Sequence, residues 1–147
     1  MTERSGRCLC GAVSFTLAIA PLAARVCWCR DCQHIAANGT VNVMVAAEGL
    51  TVSGVLAEYT RTADSGNQVT RQFCPACGTH LFAKSTLRPQ FRVVRIGNLD
   101  APSSIQPSAN IWASSAPAWA CLDPAIDRIE RQPLPPQLPP RPPATGS

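Results

Sequence analysis

The chain has few of the side chains that usually fill a core or decorate a surface. Aromatic residues make up 5% of its 147 residues, charged residues make up 15%, and Lys84 is its only lysine. No run approaches the roughly 18 consecutive apolar residues of a membrane-spanning helix, so no span is expected. The hydrophobic content of 46% argues against a disordered chain. We therefore expect one small soluble domain with an aliphatic core.

Basic residues are in mild excess but form no patch. The formal net charge is +4 at pH 7, and no run of basic residues occurs. A surface that binds nucleic acid needs clustered cations to neutralise phosphates. The sequence therefore argues against a nucleic-acid partner.

Cysteine is unusually abundant, with eight residues in the chain. Eight cysteines predict four disulfides in a secreted protein or metal ligands in a reducing compartment. The polar residues 1–8 do not resemble a signal peptide, and cleavage after the apolar stretch 12–24 would discard Cys8 and Cys10. We therefore expect a cytoplasmic protein whose reduced thiols bind metal.

Alternation of apolar and polar residues predicts a mainly β fold of short antiparallel strands over residues 5–131. A single short helix is predicted at 31–37. The predicted strands are 13–17, 41–45, 50–52, 56–60, 69–73, 80–83, 91–96 and 109–113.

The C-terminal segment is rich in proline. Seven of the fourteen prolines lie in 133–147. Because proline lacks the N–H that helices and sheets require, residues 132–147 are predicted to be a disordered proline-rich tail.

Seven of the eight cysteines fall into three tight groups. They are Cys8 and Cys10, then Cys27, Cys29 and Cys32, then Cys74 and Cys77. Spacings of one or two residues let sulfurs converge on one ion at Zn–S distances of about 2.3 Å. The same spacings are poor for disulfides, because neighbouring side chains on a strand point in different directions. The pattern therefore predicts zinc.

Seven ligands divide most simply as four plus three. The pair Cys74 and Cys77, followed by Gly78, is typical of a metal knuckle and needs two further thiolates, which Cys8 and Cys10 can supply. A closed site of four thiolates is structural, because it leaves no position for a substrate. It would staple the first strand to the middle of the chain.

The remaining triplet of Cys27, Cys29 and Cys32 leaves a fourth position open, as in a catalytic zinc site. Two alternatives stay open. In one, Cys29 and Cys32 pair with the knuckle as a zinc ribbon, although the gap of 41 residues is well above the usual 15–20. In the other, Cys121 is a fourth ligand to the triplet and both sites are structural. Otherwise Cys121 is expected to be a buried free thiol.

Three motifs resemble the glutathione-dependent formaldehyde-activating family, which shares its domain with centromere protein V. They are C-x-C-G at 8–11, C-x-C-x-x-C at 27–32 and F-C-x-x-C-G-T-x-L-F at 73–82. The family's C-terminal motifs resemble residues 95–100, residues 110–115 and Trp119 of this chain. The resemblance therefore covers roughly 7–120. It implies coiled β-sheets of the Mss-four-like class and two zinc ions per chain. It also implies that Cys8, Cys10, Cys74 and Cys77 bind structural zinc and that Cys27, Cys29 and Cys32 bind catalytic zinc.

The resemblance implies a carbon–sulfur lyase that joins glutathione, as co-substrate, to formaldehyde to give S-(hydroxymethyl)glutathione. Trp28, the pair Gln33-His34 and Ala116 depart from the family pattern, and these departures bear on which thiol is used. The alternative function is a non-enzymatic zinc module for a protein, thiol or nucleic-acid partner.

Glutathione's two carboxylates need cationic partners. Arg30, inside the triplet, and Arg71, just before the knuckle, are the candidates. His34 is either a proton carrier beside the open zinc position or a residue on the helix surface.

Overall fold

The computed structural model describes residues 3–140 and consists of two β-sheets and one α-helix. The helix is α1 (Arg30–Ala36). The strands are β1 (Arg4–Arg7), β2 (Ser14–Leu17), β3 (Ala23–Cys27), β4 (Thr40–Ala46), β5 (Leu50–Ser53), β6 (Ala57–Thr62), β7 (Gln68–Phe73), β8 (His80–Ser85), β9 (Phe91–Arg95), β10 (Ala109–Ile111) and β11 (Asp127–Arg128). The predicted mainly β fold with one short helix is confirmed. No helix within the described residues has the length and apolar character needed to cross a bilayer.

The sheets contain three and eight strands. The smaller sheet has the order β1-β2-β5, and the larger has the order β11-β10-β3-β4-β9-β8-β7-β6. All pairs are antiparallel except those of β10, which runs parallel to both β3 and β11. The alternation of the sequence indicated eight of these strands but not β1, β3 or β11. β1 (RSGR) and β11 (DR) contain no large apolar residue, and β3 (AARVC) does not alternate apolar and polar residues, so none of the three carries a period-two signal.

The main core lies between the two sheets. Phe15 and Leu17 of the small sheet pack with Val43, Phe82 and Val94 of the large one, and all five are at least 97% buried. The rings of Phe15 and Phe82 meet edge to face, with centroids 5.2 Å apart. Each such side chain contributes about 1.5–3 kcal/mol by leaving water. The core is therefore mainly aliphatic with few aromatic side chains, as the composition predicts.

Gly6 allows β1 to approach this core closely. A Cβ at this position would overlap the ring of Phe15 and the carbonyl oxygen of Asn98. Since β1 leads directly to Cys8, this close approach positions the first cysteine pair.

The strand register aligns polar side chains on the other face of the large sheet. Asn42 of β4 lies between Arg25 of β3 and Arg95 of β9. Two residues further along the strands, Cys27 is opposite Thr40. Because side chains alternate with period two, both rows face the same side. Cysteine sulfurs and arginine side chains therefore share one face of the sheet.

The chain after β11 returns to the end of β10. The N–H of Ile129 donates to the Asn110 carbonyl at 2.8 Å, and the indole N–H of Trp112 donates to Oε1 of Gln132 at 2.9 Å. Residues 133–140 have no regular secondary structure, and residues 141–147 of the predicted tail lie outside the described part. Disorder of residues 132–147 and the domain limits 5–131 stay predictions.

Candidate metal centres and ligand cavity

The first candidate metal centre is the four-cysteine cluster of Cys8, Cys10, Cys74 and Cys77. Its four sulfurs all lie within 4.8 Å of one another. The Sγ of Cys10 is 3.7 Å from that of Cys8 and 3.8 Å from that of Cys74. Four sulfurs at about 2.3 Å from a tetrahedral zinc are about 3.8 Å apart, whereas disulfide sulfurs are about 2.05 Å apart. The cluster therefore has the dimensions of a zinc site.

The turn between β7 and β8 shapes one half of this cluster. Gly78 has φ of +76°, and its N–H donates to the Cys74 carbonyl at 2.8 Å. A positive φ suits glycine, so Gly78 lets the turn close tightly around the sulfurs. The Thr79 hydroxyl lies 3.1 Å from Sγ of Cys77. The hydrogen bonds of this hydroxyl and of the Thr79 N–H lower the pKa of Cys77 to about 5. Cys77 therefore favours the thiolate form that binds metal.

The other half of the cluster is the turn after β1. The N–H of Val13 donates to Sγ of Cys8 at 3.3 Å, and that of Ala12 donates to Sγ of Cys10 at 3.5 Å. Cys8 and Cys74 are fully buried in the main core, whereas Cys10 lies at the surface. A metal ion here would join two turns that are 64 residues apart in sequence.

The second candidate metal centre is the three-cysteine cluster of Cys27, Cys29 and Cys32. Cys27 ends β3, Cys29 caps the start of α1, and Cys32 lies in the helix's first turn. Their sulfurs lie within 4.8 Å of one another, and all three residues are at least 91% buried. Sγ of Cys29 accepts the N–H of Cys32 at 3.4 Å. Three sulfurs fit a metal ion that keeps one position for a substrate.

Cys32 is the most acidic thiol of this cluster. Hydrogen bonds from Cys27 and Cys29, together with the charge of Arg95 and the Thr40 hydroxyl, lower the pKa of Cys32 to about 2 against the effect of burial. The Thr40 hydroxyl donates to its sulfur at 3.0 Å. These contacts favour the thiolate form of Cys32, which is the form that binds a metal cation.

Cys121 belongs to neither sulfur cluster within residues 3–140, and its side chain is exposed. The prediction of a buried thiol is therefore wrong, and the structure gives no support to Cys121 as a fourth ligand. Cys29 and Cys32 also lie in a different cluster from Cys74 and Cys77, so the zinc-ribbon arrangement is not formed. The structure brings the seven clustered cysteines together as four plus three.

A cavity of about 180 Å³ opens beside the three-cysteine cluster. Its apolar wall includes Met44, Ala83, Phe91 and Val93, and among residues 3–140 Asp64 is the only carboxylate residue in its lining. Four arginines also line it, and we call it the arginine cavity: Arg25, Arg71, Arg88 and Arg95. A lining with four arginines and a single carboxylate favours an anionic ligand.

Arg71 is 5% exposed and is held by a buried carboxylate. Its Nη2 donates to Oδ2 of Asp31 at 3.2 Å, and Nε of Arg61 lies 3.6 Å from the same oxygen. Nε and Nη1 of Arg71 have no hydrogen-bond partner among residues 3–140. Buried donors are normally satisfied, so these two N–H groups are available to a ligand.

Arg95 is 9% exposed and is the second deeply buried cation of the cavity. Its Nη1 donates to Oδ1 of Asn42, and its Nε has no hydrogen-bond partner in the described part of the chain. Burial lowers the pKa of Arg95, and the negative charges of Cys32 and Cys27 oppose that shift. Burial and the charge of Arg88 likewise lower the pKa of Arg25.

The other residues singled out from the sequence lie in different surroundings. Arg30 is exposed on α1, where its Nη1 donates to Oε1 of Gln33, and it does not line the arginine cavity. His34 is exposed in the last turn of the helix, which agrees with the helix-surface interpretation. Trp28 is buried with its indole N–H on Asn110 Oδ1, whereas Trp119 is 65% exposed.

The sequence analysis did not single out Arg25, Arg88 or Arg95 as site residues. A weak signal was present in β9, where Arg95 directly follows the apolar pair Val93 and Val94. An arginine at a buried strand position needs a hydrogen-bond partner or a ligand, so such an arginine is a candidate site residue.

The fold and the two sulfur clusters define a small β protein with two candidate metal centres. A family model described as "Glutathione-dependent formaldehyde-activating enzyme" matches residues 3–115, which include all seven clustered cysteines. The chain belongs to this family. No curated protein matches it.

A crystal structure of a protein from Rhodobacter sphaeroides is similar to this chain, with a TM-score of 0.53 and 22% sequence identity. The similarity covers 70% of this chain and 91% of the other. At this identity it shows a shared fold.

Proposed function

We propose that this protein is a zinc-dependent carbon–sulfur lyase that joins glutathione, or a closely related thiol, to formaldehyde. Family membership supports the reaction class. One observation carries the proposal for this chain: the three-cysteine cluster opens into the arginine cavity. A buried group of sulfurs beside an arginine with two unpartnered N–H donors suits a substrate that carries both a thiol and a carboxylate.

The two clusters take different roles in this proposal. The four-cysteine cluster is structural, because its sulfurs form a complete ligand set and two of them are buried in the core. Cys27, Cys29 and Cys32 would hold the catalytic ion. Zinc bound there would leave a fourth position for the substrate's sulfur and would favour the thiolate form of that sulfur at neutral pH.

Arg71 is the cavity residue that binds and orients the thiol substrate. We propose that Arg71 holds a glutathione carboxylate through Nε and Nη1, since Asp31 already fixes its third nitrogen. Arg30 was the other expected contact, and the structure does not bring its side chain into the cavity. Trp112 packs in the same buried cluster as the three cysteines and limits the access of water to the reacting sulfur.

The reaction forms one carbon–sulfur bond. The thiolate's electron pair attacks the carbonyl carbon, the π pair of formaldehyde moves to oxygen, and a proton from water completes the hydroxymethyl group. Formaldehyde is small and strongly electrophilic, so orientation of the thiolate supplies most of the required acceleration. We further propose a cytoplasmic location, where the thiols stay reduced.

Calorimetry of the zinc-loaded protein tests this proposal. Glutathione should bind, whereas S-methylglutathione, which has the same carboxylates but no free thiol, should bind much more weakly. Binding of glutathione should also weaken as the pH falls well below neutral, because protons compete with the metal for sulfur. Equal affinity for both compounds, or binding of neither, would contradict the thiolate mechanism and favour a non-enzymatic zinc module.

A further inference from the structure

Attack of a thiolate on formaldehyde places a negative charge on the aldehyde oxygen. This inference rests on the function proposed above. Three thiolates already outweigh the charge of a divalent ion, so the catalytic centre is poorly suited to attract a second developing anion. A hydrogen-bond donor from the chain is therefore needed near the three-cysteine cluster.

Most polar donors beside the cluster are already engaged. The Thr40 hydroxyl donates to Sγ of Cys32 at 3.0 Å. The indole N–H of Trp28 donates to Asn110 at 3.1 Å, and that of Trp112 donates to Gln132 at 2.9 Å. None of these groups is free to bind a new oxyanion without losing its present partner.

Arg95 combines a free donor with the right position. It lines the same cavity as the three cysteines. Arg95 lies opposite Asn42, which is two residues along β4 from Thr40, the residue opposite Cys27, so the two positions are about 7 Å apart along the strands. Asn42, its register neighbour, accepts from Nη1 and fixes the guanidinium. Nε is buried and has no partner among residues 3–140.

The two buried arginines differ in their charged neighbours. Arg71 is paired with the carboxylate of Asp31. Arg95 has no carboxylate within 4.0 Å in the described residues, and it lines the same cavity as the three clustered cysteines. Its charge is therefore available to a negative charge that develops beside the three-cysteine cluster.

We propose that Arg95 is a catalytic residue that donates an N–H to the oxygen of formaldehyde as the carbon–sulfur bond forms. Its positive charge stabilises the developing alkoxide. Arg95 keeps its own proton; the thiol's proton passes to water when the thiolate forms, and water returns one proton to the product oxygen. The stoichiometry is therefore one thiol and one formaldehyde to one hydroxymethyl thioether.

Arg95→Gln tests this role, with Arg71→Gln as the matched control at the other buried arginine. Arg95→Gln should retain zinc content and glutathione affinity, but the catalysed rate above the spontaneous reaction should fall on the order of 10²-fold. Arg71→Gln should instead weaken glutathione binding and raise KM, with a smaller change in kcat. Calorimetry and exchange NMR with labelled formaldehyde give the two readouts separately.

The outcomes separate this proposal from the function on which it rests. Failure of the wild-type protein to bind glutathione would refute the proposed function. If the wild-type protein binds glutathione but Arg95→Gln has an unchanged kcat or mainly loses affinity, the role of Arg95 is refuted and the proposed function stands. If Arg95→Gln does not fold, Arg95→Met, which removes both the charge and the N–H donors, takes its place. For either variant, full glutathione affinity with reduced kcat supports the proposal, and wild-type kcat contradicts it.

Discussion

Cys77→Ser is expected to remove one zinc ion per chain and to destabilise the entire fold. Cys77 completes the four-cysteine cluster, in which two fully buried sulfurs, those of Cys8 and Cys74, would be left as unpaired ligands. Structural zinc contributes an apparent free energy on the order of 10 kcal/mol, which is comparable with the ~5–15 kcal/mol net stability of a domain. We therefore expect a large fall in melting temperature or failure to fold.

Cys121→Ser is the matched control, because Cys121 is exposed and outside both clusters. An exposed substitution of this kind normally changes stability by less than about 0.5 kcal/mol. Zinc content by metal analysis and thermal unfolding give the comparison. A Cys77→Ser protein with full zinc content and wild-type melting would show that the cluster is not a structural metal site.

Cys29→Ala is expected to abolish adduct formation above the spontaneous rate while the fold is retained. The substitution leaves two sulfurs in the three-cysteine cluster, and it also removes the sulfur that accepts the Cys32 N–H at the start of α1. Loss of such a cap costs about 1 kcal/mol, far less than loss of the structural zinc. One zinc ion per chain should remain, with a melting temperature a few degrees below that of the wild type.

Cys121→Ala controls for the loss of one thiol and should keep full activity. Activity is followed by exchange NMR, and folding by circular dichroism on the same samples. A Cys29→Ala variant that still catalyses the reaction would remove the three-cysteine cluster from the mechanism. Global unfolding of this variant would assign it a structural role instead.

The grouping of the cysteines could be predicted because it depends mostly on local spacing. Cys27, Cys29 and Cys32 lie within six residues, so a short strand end and one helical turn bring them together. The pairing of Cys8 with Cys74 is non-local, and it followed from the need for two more ligands at the knuckle. Strands β2, β4 and β7 showed clear alternation of apolar and polar residues in the sequence, although only β2 is buried mainly on one face.

The arginine cavity could not be predicted from the sequence. Arg25, Asn42 and Arg95 become neighbours only through the register of three strands that are separated by many residues. Sequence proximity was misleading for Arg30, which points outward on α1 although it lies between two cysteines. Arg71 was identified through its closeness to the knuckle, but its contact with Asp31 is a tertiary one. Exposure of Cys121 likewise depends on how the last segment packs.

Cadmium NMR of protein loaded with cadmium in place of zinc tests the central claim most directly, because the chemical shift reports the number of sulfur ligands. We expect two resonances, one from the four-cysteine cluster and one from the three-cysteine cluster. Glutathione should move only the second resonance, towards the position of a site with four sulfurs, and S-methylglutathione should move neither. If glutathione left both resonances unchanged, or if S-methylglutathione produced the same shift, the claim that the three-cysteine cluster binds the substrate thiolate would be contradicted.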